Sequence, residues 1–164
     1  MTLETERLEI VPLSLEKLKL LRDNLKFLEK KLNCVYKGEA IKGFIFEYLE
    51  QQIKTISENA DSWLYIAFWL LIRKSDRIVV GSAAFKGLPN QNGEIEIGYG
   101  LGNEFEHNGY MTECVCEMCK WGFAQNNVKY IIAETDIDGY ASQRILQRNG
   151  FVRYKFDNSS WWRL

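Results

Sequence analysis

Residues 7–13, RLEIVPL, alternate polar and apolar side chains as a half-buried strand does, with Pro12 near the end. After Ser14, a residue type that suits a helix N-cap, leucines at 15, 18, 21, 25, 28 and 32 recur every three or four positions. That spacing predicts one amphipathic helix over 15–32. Beyond a glycine-containing break at 37–38, Ile41, Phe44, Ile45, Tyr48, Leu49 and Ile56 predict a second helix ending near Ser57. The pattern then turns strand-like in 63–73, 77–87 and 95–101, with short turns between, which predicts an antiparallel meander. Val115, Met118, Cys119, Gly122 and Phe123 mark a third amphipathic helix over 112–125. A buried strand at 128–137, a short helix at 141–150 closed by Gly150, and strands at 151–156 and 160–164 complete the chain.

The order β-α-α-β-β-β-α-β-α-β-β predicts an α/β fold: one domain over 1–164, with a mixed, twisted sheet of about seven strands and helices on both faces. The helix at 112–125 is a crossover, so the strands on either side of it run parallel. Ligands of open α/β sheets favour the carboxyl ends of strands, and the loop 104–112 lies at such an end.

Charge removes several classes of function. The 21 basic and 22 acidic residues are interspersed, with no polybasic run, so neither a nucleic acid nor a membrane surface is an expected partner. The N-terminus carries acids where a secretion signal needs basic residues, and no apolar run is long enough to span a bilayer. Cys114, Cys116 and Cys119 spread too widely around a helix to converge on one ion, and the single histidine, His107, has no obvious partners. A cytoplasmic protein with free thiols and no metal is expected.

Two stretches, IEIGYGLGNEFEHNGYMTECV (95–115) and AETDIDGYASQRILQRNGF (133–151), resemble the GNAT superfamily of acyl-CoA-dependent N-acyltransferases. The branch they look like is that of ribosomal-protein N-terminal acetyltransferases, which also includes small-amine acetyltransferases; TERLEIVPLS (5–14) resembles its first strand. The resemblance implies acetyl-CoA as co-substrate and a pyrophosphate loop, Gln/Arg-x-x-Gly-x-Gly/Ala, at 106–111. Here that loop reads Glu106, His107, Asn108, Gly109, Tyr110, Met111, followed by Thr112. Only Gly109 is kept. Backbone N–H groups around Asn108–Thr112 and the helix dipole would hold the diphosphate, Glu106 would oppose it unless turned to solvent, and Met111 would narrow the loop.

The same resemblance implies that Tyr99, Gly100 and Leu101 line the acyl arm, the Leu101 N–H polarising the thioester carbonyl, and that Glu96 activates the amine or holds the water relay. From the residues alone, Glu96 is equally an ordinary solvent-facing strand glutamate. Where many members have a tyrosine for the departing thiolate, this chain has Leu146. Ser142 is then the expected hydrogen-bond partner of the thiolate, with Tyr140 its rival and helix capping the alternative use of Ser142. Arg144 is a candidate for the coenzyme phosphates, or part of a solvated basic face. Glu94, Glu96, Glu104 and Glu106 together favour a cationic acceptor. The expected activity is direct transfer of an acetyl group to a primary amine, a small molecule or a protein N-terminus, by a monomer or homodimer. The alternative is a non-catalytic acyl-CoA-binding module.

Overall fold

The computed structural model describes residues 1–164. A nine-stranded sheet runs in the order β1-β2-β4-β5-β6-β7-β9-β8, with short β3 joined to β5. Its strands are β1 (Leu3–Glu4), β2 (Leu8–Pro12), β3 (Val35–Tyr36), β4 (Phe68–Arg73), β5 (Ile78–Phe85), β6 (Glu94–Leu101), β7 (Tyr130–Thr135), β8 (Val152–Phe156) and β9 (Ser160–Arg163). The helices are α1 (Leu15–Asp23), α2 (Leu25–Leu32), α3 (Phe44–Glu58), α4 (Tyr110–Phe123) and α5 (Tyr140–Arg148). As expected, β6 and β7 are parallel across the α4 crossover. The remaining pairs are antiparallel, apart from β3 with β5.

Helices cover both faces. Leu18, Leu21 and Leu28 of the first two helices and Leu49, Ile53 and Ile56 of α3 bury against Phe68, Leu70 and Ile72 of β4. On the opposite face Met111, Cys114, Val115, Met118 and Cys119 of α4 meet Leu71, Phe85, Ile95 and Ile97. Trp121 anchors that layer, its ring centroid 5.4–5.5 Å from those of Tyr65, Trp69 and Phe85.

Three departures from the sequence reading have local causes. The helix expected over 15–32 breaks at Asn24, which leaves helical geometry (φ −151°, ψ 71°) so that its side chain can accept from the Phe27 N–H. Residues 60–65 form a 3-10 helix rather than the start of a strand, because the neighbouring β2 ends at Pro12, opposite Trp69, and offers no ladder to join. Two-residue strands at β1 and β3, too short to show a periodicity, raise the strand number above seven.

Candidate functional site

The β6–β7 ladder ends early. Its register stops at Glu96 opposite Ile132, although β6 continues to Leu101 and β7 to Thr135. Beyond that point each strand follows its other neighbour, β6 pairing with β5 up to Leu101 and β7 with β9 up to Thr135. The wedge between them opens into a cleft of about 630 Å³ lined by Gly98, Tyr99 and Gly100 on one side and Ala133, Thr135 and Ser142 on the other.

Backbone direction on β6 follows from its bonds to β5. The Lys86 N–H donates to the Glu96 carbonyl (2.8 Å) and the Gly102 N–H to the Val80 carbonyl (2.9 Å), so even-numbered residues turn their backbone groups toward β5. Tyr99 and Leu101 therefore direct theirs into the wedge. Strand alternation puts the side chains of Glu96, Gly98 and Gly100 on the α3 face and those of Ile95, Ile97 and Tyr99 on the α4 face.

Past the end of β6, and outside the lining of the cleft, lies the loop that opens α4. His107 (φ 61°) and Gly109 (φ 80°) are left-handed, and the Asn108 side chain draws the loop together by donating to the carbonyls of Phe105 (3.2 Å) and Glu106 (2.8 Å). None of the backbone N–H groups from His107 to Thr112 donates within the protein; the next, Glu113, bonds back to the Gly109 carbonyl. Six donors are thus left unpaired at or before the first turn of a 14-residue helix, the positive end of its dipole. The Glu106 carboxylate is half exposed and lies 4.0 Å from His107 Nε2, turned to solvent. Met111 does not narrow the loop as expected: it is 2% exposed, buried in the α4 core.

A contact the sequence reading missed braces this loop. The guanidinium of Arg7 donates to the Asn108 carbonyl (2.9 Å) and to Glu113 Oε2 (2.8 Å), and it lies over the Tyr110 ring, 4.6 Å from its centroid. Thr5 and Arg7 both bind Glu113. The motifs TERL and Thr112-Glu113 were both visible, but nothing local links residues 106 apart in sequence.

The expected chemical residues are only partly brought together. Ser142 is not a cap: Gly139 is the N-cap of α5, and Ser142 lies within the helix, where its Oγ donates to the Tyr99 hydroxyl (3.1 Å). Tyr99 in turn donates to the Ser142 carbonyl (3.3 Å), and burial pushes its hydroxyl up to about 12. Tyr140 is 67% exposed, outside the cleft lining. Arg144 is exposed on α5 and forms no ion pair. Leu146 is fully buried. Glu96 lies on the α3 face, its carboxylate joined to the Lys86 ammonium.

Three of the four acids expected to favour a cationic acceptor are paired: Glu94 with Arg163 (2.6 Å), Glu96 with Lys86 and Glu104 with Lys37 (3.8 Å), while Glu106 has no Lys or Arg partner. The α3 side of the cleft is walled by Phe44, Ile45, Tyr48 and Phe68, together with Glu39, which no sequence signal had marked.

Comparisons with known proteins bear on the family and the fold. The family description "Acetyltransferase (GNAT) domain" matches residues 7–152. Over 84 residues the chain is 31% identical to the uncharacterized N-acetyltransferase YjdG of Bacillus subtilis (strain 168), covering 51% of this chain and 50% of that protein. The chain spans about half the length of the curated relatives it matches. Among solved structures it is similar to a GNAT-family acetyltransferase from Bacillus anthracis (TM-score 0.64, 17% identity, 100% of this chain and 98% of that one). It is similar also to RimL, the ribosomal L7/L12 alpha-N-protein acetyltransferase in complex with coenzyme A (TM-score 0.69, 12% identity, 100% and 97%). At such identities the likeness establishes the fold.

Proposed function

This chain belongs to the GNAT acetyltransferase family, and from that premise we propose that it transfers an acetyl group from acetyl-CoA directly to a primary amine, a protein N-terminus or a small molecule, within a ternary complex. The observation that carries this reading is the wedge between β6 and β7, with unpaired backbone donors in the loop that follows β6. The diphosphate lies on the N–H groups of residues 107–112, and the pantetheine arm follows the backbone of Tyr99, Gly100 and Leu101 into the wedge. There the Leu101 N–H polarises the thioester carbonyl. Ser142 turns its one hydroxyl proton from the Tyr99 oxygen to the departing thiolate; the exposure of Tyr140 disfavours it for that role. Glu96, beside Lys86 on the α3 face, holds the amine or a relay water. Arg144 is free to meet the coenzyme's phosphates.

Transfer by this route uses no metal and no covalent enzyme intermediate, and we assign the protein to the cytoplasm as a monomer or homodimer. RimL, which shares the fold, was solved with coenzyme A, which supports the choice of donor. One observation favours a second reading, a non-catalytic acyl-CoA-binding module: the buried Leu146 stands where many members carry a tyrosine. Calorimetry with acetyl-CoA and a thiol-release assay over alkyl diamines, amino sugars and short peptides with free N-termini separate the two. Binding with turnover supports the enzyme, binding without turnover supports the module, and no binding overturns both.

A further inference from the structure

Residues 37–39 reach the cleft because β3 and β6 share one edge of β5. β3 pairs with Ile78 and Val79, and the Lys37 N–H donates to the Val79 carbonyl (3.1 Å), directly before the Val80 carbonyl that receives the Gly102 N–H (2.9 Å). The two strands therefore lie end to end, and the chain leaving β3 must cross the end of β6. It does so over glycines. A Cβ at Gly102 would stand 2.4 Å from the Lys37 carbonyl oxygen, and one at Gly100 would stand 1.9 Å from Glu39 Oε2. The Tyr36 hydroxyl donates to the Glu39 carbonyl (2.8 Å) and fixes the segment. The Glu39 carboxylate thus rests against the Gly100 backbone on the α3 side of the cleft, level with the wedge-facing N–H groups of Tyr99 and Leu101.

Unlike Glu96, this carboxylate has no counter-ion and no hydrogen-bond donor. Of the nearby charged and titratable groups, Lys86 is engaged with Glu96, and Lys37 extends toward Glu104. Tyr36 bonds the Glu39 main chain, while Tyr48, Tyr99, Glu134 and Asp136 line other parts of the cleft. Burial is what acts on Glu39, raising its proton affinity above the ordinary glutamate value.

We propose that Glu39 is the proton acceptor of the transfer: its unpaired carboxylate over Gly100 takes the proton that the attacking amine must lose. This rests on the acetyl-transfer reading. The amine nitrogen forms a bond to the acyl carbon, its proton passes to a Glu39 oxygen, and the carbon–sulfur bond breaks. The departing sulfur takes a proton from the Ser142–Tyr99 pair, and both enzyme groups re-equilibrate through water. The products are the amide and the free thiol.

The test is Glu39→Gln in the full-length protein, with acetyl-CoA and the amine that the wild type turns over. The glutamine keeps the packing and cannot accept the proton. Acetyl-CoA affinity should stay within about twofold, while kcat at saturating amine falls roughly a hundredfold at pH 7 and loses the acid limb of its pH profile. A Glu39→Gln profile parallel to the wild type, whatever its height, overturns the assignment. A wild type that turns over no amine overturns the transfer reading, and the role of Glu39 with it; one that binds acetyl-CoA without turnover is then the module.

Discussion

Arg7 binds both oxygens of one carboxylate, that of Glu113, with its main chain and its side chain together: the N–H reaches Oε1 at 2.9 Å and Nε reaches Oε2 at 2.8 Å. The Thr5 hydroxyl also binds Oε1, and the guanidinium goes on to the Asn108 carbonyl. The turn between β1 and β2 is thereby stitched to the loop that opens α4.

Glu113→Gln should lower stability by about 1–2 kcal/mol, a charged hydrogen-bond value discounted because the Arg7 side chain is 43% exposed. Burial works to raise the Glu113 proton affinity, but Thr5 and Arg7 outweigh it, and the folded carboxyl titrates below its ordinary value. A depressed folded value contributes stability that is present above the unfolded value, about 4.3, and is lost as pH falls through the folded one. Urea denaturation of both proteins from pH 7 to pH 2.5 should therefore show the wild-type advantage shrinking below about pH 4.

Gly109→Ala should weaken acetyl-CoA binding about tenfold, or 1.4 kcal/mol, by calorimetry. The φ of 80° costs an alanine about 1–2 kcal/mol, and its relief shifts the N–H groups that face the anion. Gly43→Ala is the control: it sits at a similar φ (54°) at the N-cap of α3 with nothing within 4 Å. Its ψ of −131° lies outside the left-handed well that Gly109 occupies (ψ 1°), so it should lower the melting temperature at least as much and leave the affinity unchanged.

Tyr99→Phe and Ser142→Ala should each slow acetyl transfer about tenfold, and the double variant little more, because the two hydroxyls act as one unit. With the Tyr99 hydroxyl pushed up to about 12, phenolate formation should not limit the wild-type rate below about pH 11. Tyr140→Phe, on the exposed side of α5, should change the rate less than twofold by the same thiol-release measurement.

Native alkylation with iodoacetamide at pH 8 should label Cys116, which is exposed on α4, and spare Cys114 and Cys119. Burial pushes Cys114 well above the ordinary thiol range and Cys119 up to about 12, so neither offers thiolate. Peptide mass spectrometry after unfolding should then find both modified.

Regular elements were legible wherever a period ran long enough. The α4 stripe, the 77–87 strand and the terminal hairpin are found within a few residues of where alternation put them. What stayed hidden was tertiary. Asn24 ends a leucine-periodic helix because its own side chain competes for the backbone, and Met111 turns inward because the loop before α4 is set by Gly109 and not by bulk. Gly98, Gly100 and Gly102 alternate along β6 and one residue past its end. Their use, a floor low enough for Lys86, Glu39 and the Lys37 carbonyl, exists only after β3 lies end to end with β6.

Gly100 offers the sharpest check on that floor. An alanine there adds a Cβ 1.9 Å from Glu39 Oε2, yet the obstacle is the end of a flexible side chain, so the fold can accept it by turning Glu39 away. Gly100→Ala should then cost little stability by thermal melting while lowering kcat about as far as Glu39→Gln does. The backbone of residue 100 still reaches Ser82 across the β5 ladder, so the wedge itself persists. If displacement of Glu39 is the cause, the two substitutions share a single effect, and the double variant should be no slower than either alone. Additive losses in that cycle would mean that Gly100→Ala damages the coenzyme arm directly, and Glu39 would then owe nothing to its place over Gly100.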